Sequence, residues 1–479
     1  MRVRTLAATA AVAALTAAGL TLPFAGSAAA VTAPPRFDFN GDGYADIAVG
    51  MPNATVNGKA KAGYISVIWG GNQSPSQSTG EISQADAGIP GTPEAGDRFG
   101  SALTPADVDG DGRTELIVGA GGESLTSEQL QDEGTITVLS ITPGLDFQGT
   151  TVARGSGEFS KIGNTLAAGD YDGDGDTDLA YGESGEERGS LRFRPGPLTA
   201  DPVAPTTVRQ YGMGGATKDL ATGDFDGDGR DDLATTWAAM EDSGTFITRW
   251  GQAGPAQWWS TGDFGSALAV EDFDQDGTDD LAVGLVHPPF ESDDRHCTDL
   301  LGGTALVLNG SKSAPFGTEY ECFTQSSPEV GGTAEEGDDF GAALSAGDLN
   351  GDDRPELVVG VPGEDVGTVK NAGGYVTLNG TEHGLYGGLA RSQSTVNMPG
   401  TAEAGDRFGA QVTVGDFNKD GLWDTGVSAP GENAGDPKSG GVWFAPSSTE
   451  ETYPLGKSLT PFGFALPNGA LKYGEVLGL

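Results

Sequence analysis

Short apolar segments bordered by glycine recur along the whole chain. One set begins with an acidic residue, as in DIAVG at Asp46, ELIVG at Glu115 and ELVVG at Glu356. A second set follows some way behind the first, as in GYISVIWG from Gly63 and GTITVLSI from Gly134. Alternation of apolar and polar positions, β-branched content and glycine borders are typical of strands. The pattern therefore predicts an all-β protein built from short strands.

A nine-residue acidic pattern stands directly before the first kind of strand and occurs seven times. It has an acid at position 1, Asp or Asn at position 3, Asp at position 5, usually Gly at position 6, and Asp or Glu at position 9. The copies occupy residues 38–46, 107–115, 170–178, 224–232, 272–280, 348–356 and 416–424. A Phe-Gly pair stands eight residues before several copies, at Phe99, Phe264, Phe340 and Phe408, with Ile162 as a variant. Each unit is thus predicted to contain a strand, an acidic hairpin loop, two further strands and a fourth in the variable remainder.

A sheet of this size cannot bury its own apolar faces, and radial stacking of four-stranded sheets solves that problem. Seven copies predict a single seven-bladed β-propeller with four-stranded blades over residues 31–479. The first loop lies too close to residue 31 to leave room for its own Phe-Gly strand, yet Phe462-Gly463-Phe464-Ala465-Leu466 recurs near the C-terminus with no loop behind it. We expect this strand to complete the first blade and close the ring. An open superhelical stack is the alternative.

The start of the chain carries a targeting signal. Residues 1–30 combine a basic start, an alanine-rich apolar stretch and small residues up to Ala30, which is typical of a secretory signal peptide, with a membrane anchor as the alternative. No later segment approaches 18 uninterrupted apolar residues, so no transmembrane segment is expected after signal removal. Cys297 and Cys322 are the two cysteines, and an oxidising compartment predicts a disulfide between them. The sequence therefore predicts a secreted protein, extracellular or associated with the cell surface.

Charge and composition narrow the function further. The chain has 69 Asp and Glu against 26 Lys and Arg, a formal net charge of −43, which argues against nucleic acid as a partner. With 79 glycines and 27 prolines it favours turns and short strands over long helices. The three histidines, His287, His296 and His383, are scattered, and solvated or structural roles are favoured for them.

The acidic loops have the ligand chemistry of calcium. Side-chain oxygens at positions 1, 3, 5 and 9 and the main-chain oxygen at position 7 approach the six to eight oxygen ligands that calcium takes, whereas zinc and copper would require His or Cys. An EF-hand needs Glu at position 12 and flanking helices, but Val49, Val118 and Tyr181 stand there within predicted strands. A merely solvated acidic turn would suit one isolated copy better than seven in fixed register. Asp353 replaces the position-6 glycine of the sixth loop and predicts a weaker site there.

The predicted ligands follow from these positions in each loop. They are Asp38, Asn40, Asp42, Tyr44 and Asp46; Asp107, Asp109, Asp111, Arg113 and Glu115; Asp170, Asp172, Asp174, Asp176 and Asp178; Asp224, Asp226, Asp228, Arg230 and Asp232; Asp272, Asp274, Asp276, Thr278 and Asp280; Asp348, Asn350, Asp352, Arg354 and Glu356; and Asp416, Asn418, Asp420, Leu422 and Asp424. Three or four acids per loop would repel one another without a cation. We expect up to seven structural Ca²⁺ ions, all on one face of the ring because each loop joins the same pair of strands.

Together these motifs have a family likeness. Phe-Gly, an acidic loop and then VGMP at Val49, VGVP at Val359 or VSAP at Val427 resemble the FG-GAP repeats of the integrin α-subunit propeller. The resemblance runs from about residue 36 to residue 466, and it implies calcium loops on one face and ligand recognition by loops on the other. Departures are Ala216-Thr217 where Phe-Gly belongs in the fourth unit, and seven metal-competent loops where integrins have fewer. The propeller is therefore expected to transfer, and integrin function is not.

Two classes of function stay open. The favoured one is an adhesion or ligand-binding module for an unidentified extracellular protein or carbohydrate. For it, Trp258 and Trp259 are candidates to stack on a ligand, with core packing as the preferred interpretation. The alternative is an extracellular hydrolase of phospholipase or glycosidase type, since FG-GAP propellers also occur beside phospholipase-type domains. The sequence has no Gly-x-Ser-x-Gly, His-Glu-x-x-His or phosphate-cradling glycine loop, so no catalytic residue is predicted.

Near-identical stretches lead into three of the units: PGTPEAGDRFG from Pro90, GGTAEEGDDFG from Gly331 and PGTAEAGDRFG from Pro399. We expect them to hold one blade against the next. Within them Asp97, Asp338 and Asp406 are predicted to accept hydrogen bonds from loop amides, as Asp side chains do in turns.

Overall fold

A computed structural model describes residues 37–478 except 73, 76, 126–131, 143–145, 186–187, 201–203, 241, 252, 287–295, 299–300, 314, 449–453 and 467–470. The predicted signal peptide, residues 1–30, and His287 lie outside the described residues. The described ranges contain strands and turns and no α-helix, which confirms the all-β prediction. Within these ranges no helix therefore has the length and apolar character that a membrane crossing requires.

Seven antiparallel sheets of four strands form the blades of a propeller. Blade 1 contains β1 (Ile47–Met51), β2 (Tyr64–Trp69), β3 (Gln77–Ser78) and, from the far end of the chain, β28 (Val476–Leu477). Blade 2 contains β4 (Phe99–Ala106), β5 (Glu115–Ala120), β6 (Thr135–Ile141) and β7 (Phe147–Arg154), and blade 3 contains β8 (Leu166–Gly169), β9 (Asp178–Glu183), β10 (Ser190–Arg194) and β11 (Thr206–Gln210). Blade 4 contains β12 (Ala216–Gly223), β13 (Asp232–Ala238), β14 (Ser243–Gly251) and β15 (Gly254–Thr261).

The remaining three blades follow the same order. Blade 5 contains β16 (Ala267–Glu271), β17 (Asp280–Leu285), β18 (Thr304–Leu308) and β19 (Tyr320–Phe323). Blade 6 contains β20 (Leu344–Gly347), β21 (Glu356–Val361), β22 (Gly374–Thr381) and β23 (Gly384–Arg391), and blade 7 contains β24 (Val412–Gly415), β25 (Asp424–Ala429), β26 (Gly441–Ala445) and β27 (Lys457–Leu459). From blade 2 to blade 7 the first strand of each blade packs against the first strand of the next, and β28 of blade 1 packs against β4 of blade 2. Residues of these strands line a central channel of about 480 Å³.

The apolar core lies between neighbouring blades. One cluster joins Phe323 of blade 5 to Leu344 and Val376 of blade 6. Another joins Phe444 of blade 7 to Val49 of blade 1, across the point where the two ends of the chain meet. Because each sheet buries its faces against its neighbours, closing the ring also buries the two end faces that an open stack would leave exposed.

Closure by a C-terminal strand is confirmed, but a different segment supplies it. The strand β28 pairs with β1, with Leu477 opposite Val49 and Val476 opposite Gly50. The predicted segment begins at Phe462, which lies in a turn with 75% of its surface exposed. The Phe-Gly strand from Phe462 to Leu466 is therefore not the closing strand.

Tyr473 takes the place that Phe occupies in other blades. It is fully buried and forms a parallel bridge with Gly440, as Phe340 does with Gly303 and Phe408 with Gly373. The ring at this position fills space beneath the start of the preceding blade's third strand, and a tyrosine ring fills it as well as phenylalanine. The closing unit is thus Tyr473-Gly474.

The other structural predictions concern blades 4 and 5. Cys297 and Cys322 form the predicted disulfide, with their Cα atoms 5.9 Å apart, and tie the segment before β18 to β19. Trp258 and Trp259 are half-buried and pack on Phe316, with ring centroids 5.8 and 5.0 Å away. Core packing is therefore the role that the structure shows for both tryptophans.

Candidate metal centres

All seven nine-residue loops lie on the same face of the ring. In blades 2 to 7 each loop joins the first strand to the second, and in blade 1 the loop precedes β1, whose partner β28 takes the place of a first strand. We call this side the loop face and the other side the opposite face. The chain thus repeats one candidate site around one rim.

The position-1 aspartate organises each loop. In the first loop, Asp38 Oδ1 accepts hydrogen bonds from the N–H groups of Gly41 and Asp42 at 2.8 and 3.1 Å, and Oδ2 accepts one from Gly43 at 2.7 Å. The bond from position 6 to position 1 recurs in all seven loops at 2.7 to 3.1 Å. The position-5 aspartate likewise accepts the position-7 N–H in every loop. Loop shape is therefore set by contacts within nine residues.

Two backbone positions of each loop are left-handed. At position 6 the six glycines have φ between 82° and 89°, and Asp353 adopts 64°, as its replacement of glycine led us to expect. Position 4 is also left-handed, and there Gln275 and Lys419 have φ of 60° without being glycine. Position 4 was not part of the predicted pattern, although glycine at this position in the other five copies is a sequence signal for a left-handed residue.

The position-9 acid is buried in every loop. In the first loop, Asp46 accepts the N–H of Phe39 at 3.0 Å through one oxygen and that of Gly70, just beyond the third strand, at 2.8 Å through the other. The same bond from just beyond the third strand reaches Asp178, Asp280 and Asp424, and Glu356 accepts its counterpart from Gly380, near the end of that strand. Position 9 therefore fastens the loop to the rest of its blade.

Burial, together with the other loop carboxylates, makes the charged form of these acids costly. It raises the pKa to about 8 for Asp46, Asp232 and Asp424, to about 7 for Glu115, Asp280 and Glu356, and to about 6 for Asp178. Desolvation is the largest cause in each case, and repulsion from the carboxylates at positions 1, 3 or 5 adds to it. A positive charge at the loop centre would offset both effects.

The structure brings predicted ligands together in four loops. Carboxylate oxygens lie within 4.8 Å of one another in the trios Asp107, Asp109 and Glu115; Asp170, Asp172 and Asp178; Asp224, Asp226 and Asp232; and Asp272, Asp274 and Asp276. In the three loops with Asn at position 3, no trio of described acids meets that distance. Buried carboxylate oxygens of Asp172, Asp232 and Asp424 have no hydrogen-bond partner within the described part of the chain. A buried carboxylate oxygen without a donor needs a proton or a positive charge nearby to offset its desolvation.

Two position-3 aspartates have side-chain partners from the outer part of their blades. Arg249 Nη1 donates to Asp226 Oδ2 at 2.7 Å, and Asn309 Nδ2 donates to Asp274 Oδ2 at 2.9 Å. One oxygen of each aspartate is thereby fixed in place, which leaves Oδ1 to face its own loop.

Neighbouring loops are hydrogen-bonded into a ring. The position-8 residue of one loop donates to the position-1 carbonyl of the loop before it: Thr114 to Asp38, Thr177 to Asp107, Asp231 to Asp170, Asp279 to Asp224, Trp423 to Asp348 and Ala45 to Asp416. The last of these bonds, 3.1 Å long, joins the first loop to the seventh. At the remaining junction position 8 is Pro355, which has no N–H, and Gln275 Nε2 instead donates to the Asp353 carbonyl.

Comparison with known proteins agrees with this architecture. The model of the FG-GAP repeat matches residues 99–139, 162–191 and 340–378, and that of an FG-GAP-like repeat matches residues 38–118. The chain carries FG-GAP repeats. Each match of the first model begins at the Phe-Gly position or its Ile162 variant, which confirms the predicted resemblance and is consistent with an integrin-α-like propeller.

Curated relatives of these FG-GAP repeats are longer proteins. The chain is 31% identical over 191 residues to phosphatidylinositol-glycan-specific phospholipase D of Homo sapiens, covering 38% of this chain and 22% of that protein. Identity to the Bos taurus protein of the same name is 31% over 147 residues, covering 30% and 17%. The matches thus span about a fifth of these relatives. A crystal structure of the V. cholerae biofilm matrix protein Bap1 aligns over 87% of both chains with 11% identity and a TM-score of 0.33.

Proposed function

We propose that the seven loops bind calcium and that the calcium-loaded FG-GAP propeller works outside the cell as a non-catalytic module for a protein or carbohydrate ligand. The observation that carries the calcium proposal is the buried position-9 carboxylate. It recurs in all seven loops among further carboxylates, and in Asp232 and Asp424 one of its oxygens has no partner among the described residues. Such a group requires a cation or a proton.

The donor set fits a hard divalent ion. Positions 1, 3, 5 and 9 offer carboxylate or amide oxygens, position 7 offers a carbonyl oxygen, and no His or Cys stands at any of these positions. A bound calcium would supply the positive charge that the buried acids lack. The loops with Asn at position 3 offer one charge fewer, and the loop with Asp353 in place of glycine combines that deficit with backbone strain. We expect the loop at residues 348–356 to bind most weakly.

Equilibrium dialysis of the purified protein against CaCl₂ tests the proposal. We expect saturation at up to seven ions per chain from the loops, and loss of one ion in the variant Asp232→Asn. Glu382→Gln is the matched control, because this glutamate has a side chain 75% exposed and lies outside the loops. Absence of saturable calcium binding in the wild-type protein would rule the proposal out.

The binding role rests on the FG-GAP likeness, because the resemblance to integrin-α propellers implies ligand recognition by propeller loops. The curated relatives raise a second candidate, a hydrolase acting on phosphatidylinositol-glycan, because 31% identity over 191 residues is shared with such a phospholipase D. About four fifths of that protein has no counterpart in the match, so the module is preferred.

One experiment separates the two functions. The protein is incubated in calcium with a glycan array and with vesicles that carry a phosphatidylinositol-glycan-anchored protein. Saturable binding without release of the anchored protein supports a module. Release that increases with time and protein concentration would instead establish the hydrolase.

A further inference from the structure

The stretches that lead into blades 2, 6 and 7 build the same cluster three times. Each cluster contains one glutamine, two glutamates and one aspartate: Gln84, Glu94, Asp97 and Glu123; Gln325, Glu335, Asp338 and Glu364; and Gln393, Glu403, Asp406 and Glu432. The aspartate lies two residues before the Phe of Phe-Gly, and the last glutamate lies three residues beyond the second strand of that blade. These are the strand ends remote from the acidic loops, so the clusters lie on the opposite face.

The internal contacts are the same in all three clusters. The aspartate accepts the N–H of the first glutamate, at 2.5 Å in the first cluster and 2.6 Å in the other two, as the sequence analysis predicted for Asp97, Asp338 and Asp406. The glutamine Nε2 donates to the last glutamate at 2.6, 2.6 and 2.7 Å. The clusters differ in one respect: among the described residues, only the third has three acids, Glu403, Asp406 and Glu432, with oxygens within 4.8 Å of one another. Each glutamine follows the outermost strand of the preceding blade, so the cluster spans two blades.

An independent observation points to a ligand. The three glutamines are 7%, 5% and 2% exposed, and in each the amide oxygen Oε1 is buried with no hydrogen-bond partner within the described ranges, although Nε2 of the same amide is bonded into the cluster. Asp406, fully buried, also has an unpartnered oxygen, Oδ1. Leaving a buried acceptor unpaired costs free energy, and here the cost is incurred three times at equivalent positions.

The acids of the three clusters have no ion-pair partner within the described ranges. Basic side chains are nevertheless near two of the clusters, Lys59 and Arg154 near the first and Lys370 near the second. Blade 3 differs around Ser160, the counterpart of the cluster aspartate. There Ser160 accepts the loop N–H in place of an aspartate, and Arg192 pairs with Glu183 at 2.5 Å.

The direction of the pKa shifts is consistent with carboxylates that lie close to one another in these clusters. Burial, reinforced by the neighbouring acids, raises the pKa of Glu123 to about 7 and that of Asp97 and Asp406 to about 6. A proton shared within the cluster and a bound cation are the two ways to relieve this repulsion.

We propose that each cluster binds a divalent metal cation through carboxylate oxygens of its acids and the amide oxygen of its glutamine, on the opposite face and independently of the seven loops. All the donors are oxygens, which selects a hard ion such as Ca²⁺ or Mg²⁺. The ion would tie the outer end of one blade to the first turn of the next. The third cluster, with two unpaired oxygens, is the most complete site.

Ion counting by equilibrium dialysis, with CaCl₂ and separately with MgCl₂, tests this. The triple variant Asp97→Asn, Asp338→Asn, Asp406→Asn is expected to bind three ions fewer than wild type in at least one of the two metals. The matched control Ser160→Ala, at the equivalent position of blade 3, is expected to bind the wild-type number. Equal counts for the triple variant and wild type in both metals would overturn the proposal, and would mean that a proton or a water fills the clusters.

A second variant guards against misfolding of the first. Gln393→Met removes the amide oxygen at similar volume and keeps every carboxylate, so we expect one site to weaken by about tenfold while the total at saturation is unchanged. Wild-type affinity at every site in this variant would count against ligation by the glutamine. These variants also test the loops and the clusters separately. If only the loops bind calcium, Asp232→Asn loses one ion and the triple variant loses none.

Discussion

The two faces of the propeller repeat the same fold but not the same chemistry. On the loop face, all seven blades make the bond from position 6 to position 1 and bury the position-9 acid. On the opposite face, three blade junctions carry the complete cluster of glutamine and acids, blade 3 carries Ser160 with Arg192 nearby, and the entrance to blade 5 pairs Asp263 with His296 at 2.5 Å. These contacts are therefore the same in every blade on the loop face, whereas on the opposite face they differ from one blade junction to another.

The difference follows from where the contacts lie along the chain. A loop is completed within nine residues, so any unit that keeps the pattern keeps the site. A cluster on the opposite face joins residues 39 apart, such as Gln84 and Glu123, across two blades, and it is lost when either partner changes. As repeats diverge in sequence, a site formed within one repeat is therefore kept more easily than a site that needs residues from two repeats.

The largest expected effect comes from removing calcium, which tests whether the loop face acts as a unit. If each site adds about 1.4 kcal/mol at ten times its dissociation constant, seven sites add about 10 kcal/mol, or about 10 °C in melting temperature for a chain of this size. Differential scanning calorimetry in CaCl₂ and in EDTA measures it. The melting temperature should rise again when calcium is restored in excess, and equal melting in the two solutions would contradict a structural role.

Closure of the ring on the opposite face is tested by Tyr473→Ala. The side chain is fully buried at the junction of blades 7 and 1, so truncation should cost about 4 kcal/mol through lost packing. Phe462→Ala is the control, because that ring is 75% exposed and should contribute within about 0.5 kcal/mol. Urea unfolding measures both. A larger loss in Phe462→Ala than in Tyr473→Ala would restore the segment that the sequence first indicated.

These two aromatic residues show how far the sequence could lead. Blade number, strand order and loop face follow from repeats whose period and register are visible in the sequence, and the disulfide follows from having two cysteines. The closing strand could not be predicted in this way. Phe462-Gly463 has the residue types of the motif but is exposed, whereas Tyr473-Gly474 differs in residue type and its tyrosine is buried at the motif's position, which depends on tertiary packing. The clusters on the opposite face could be predicted only in part. The hydrogen bond that Asp97 accepts in its turn was predicted, but Gln84 and Glu123 come from other segments of the chain, and the sequence does not show that they meet there.

The variant Asp232→Asn tests the contribution of a single loop on the loop face. With calcium, the variant should lose one ion and about 1.4 kcal/mol of stability. In EDTA the order should reverse, because the variant no longer holds a buried carboxylate with an unpaired oxygen against the other loop acids. Melting curves of both proteins in both solutions measure the crossing. Destabilisation of the same size with and without calcium would mean that Asp232 serves packing alone.

The smallest expected effect concerns the hydrogen bonds that join one loop to the next. Thr177 donates its hydroxyl to the Asp107 carbonyl at 2.7 Å, whereas Thr114, at the same position of its own loop, donates its backbone N–H to Asp38. Replacing each by valine removes the hydroxyl and keeps the backbone. We therefore expect Thr177→Val to lose about 1 kcal/mol and Thr114→Val to stay near wild type, measured by urea unfolding in calcium. Equal losses would show that the threonine hydroxyls matter within their own loops, and the ring of bonds between loops would then contribute nothing measurable at this junction.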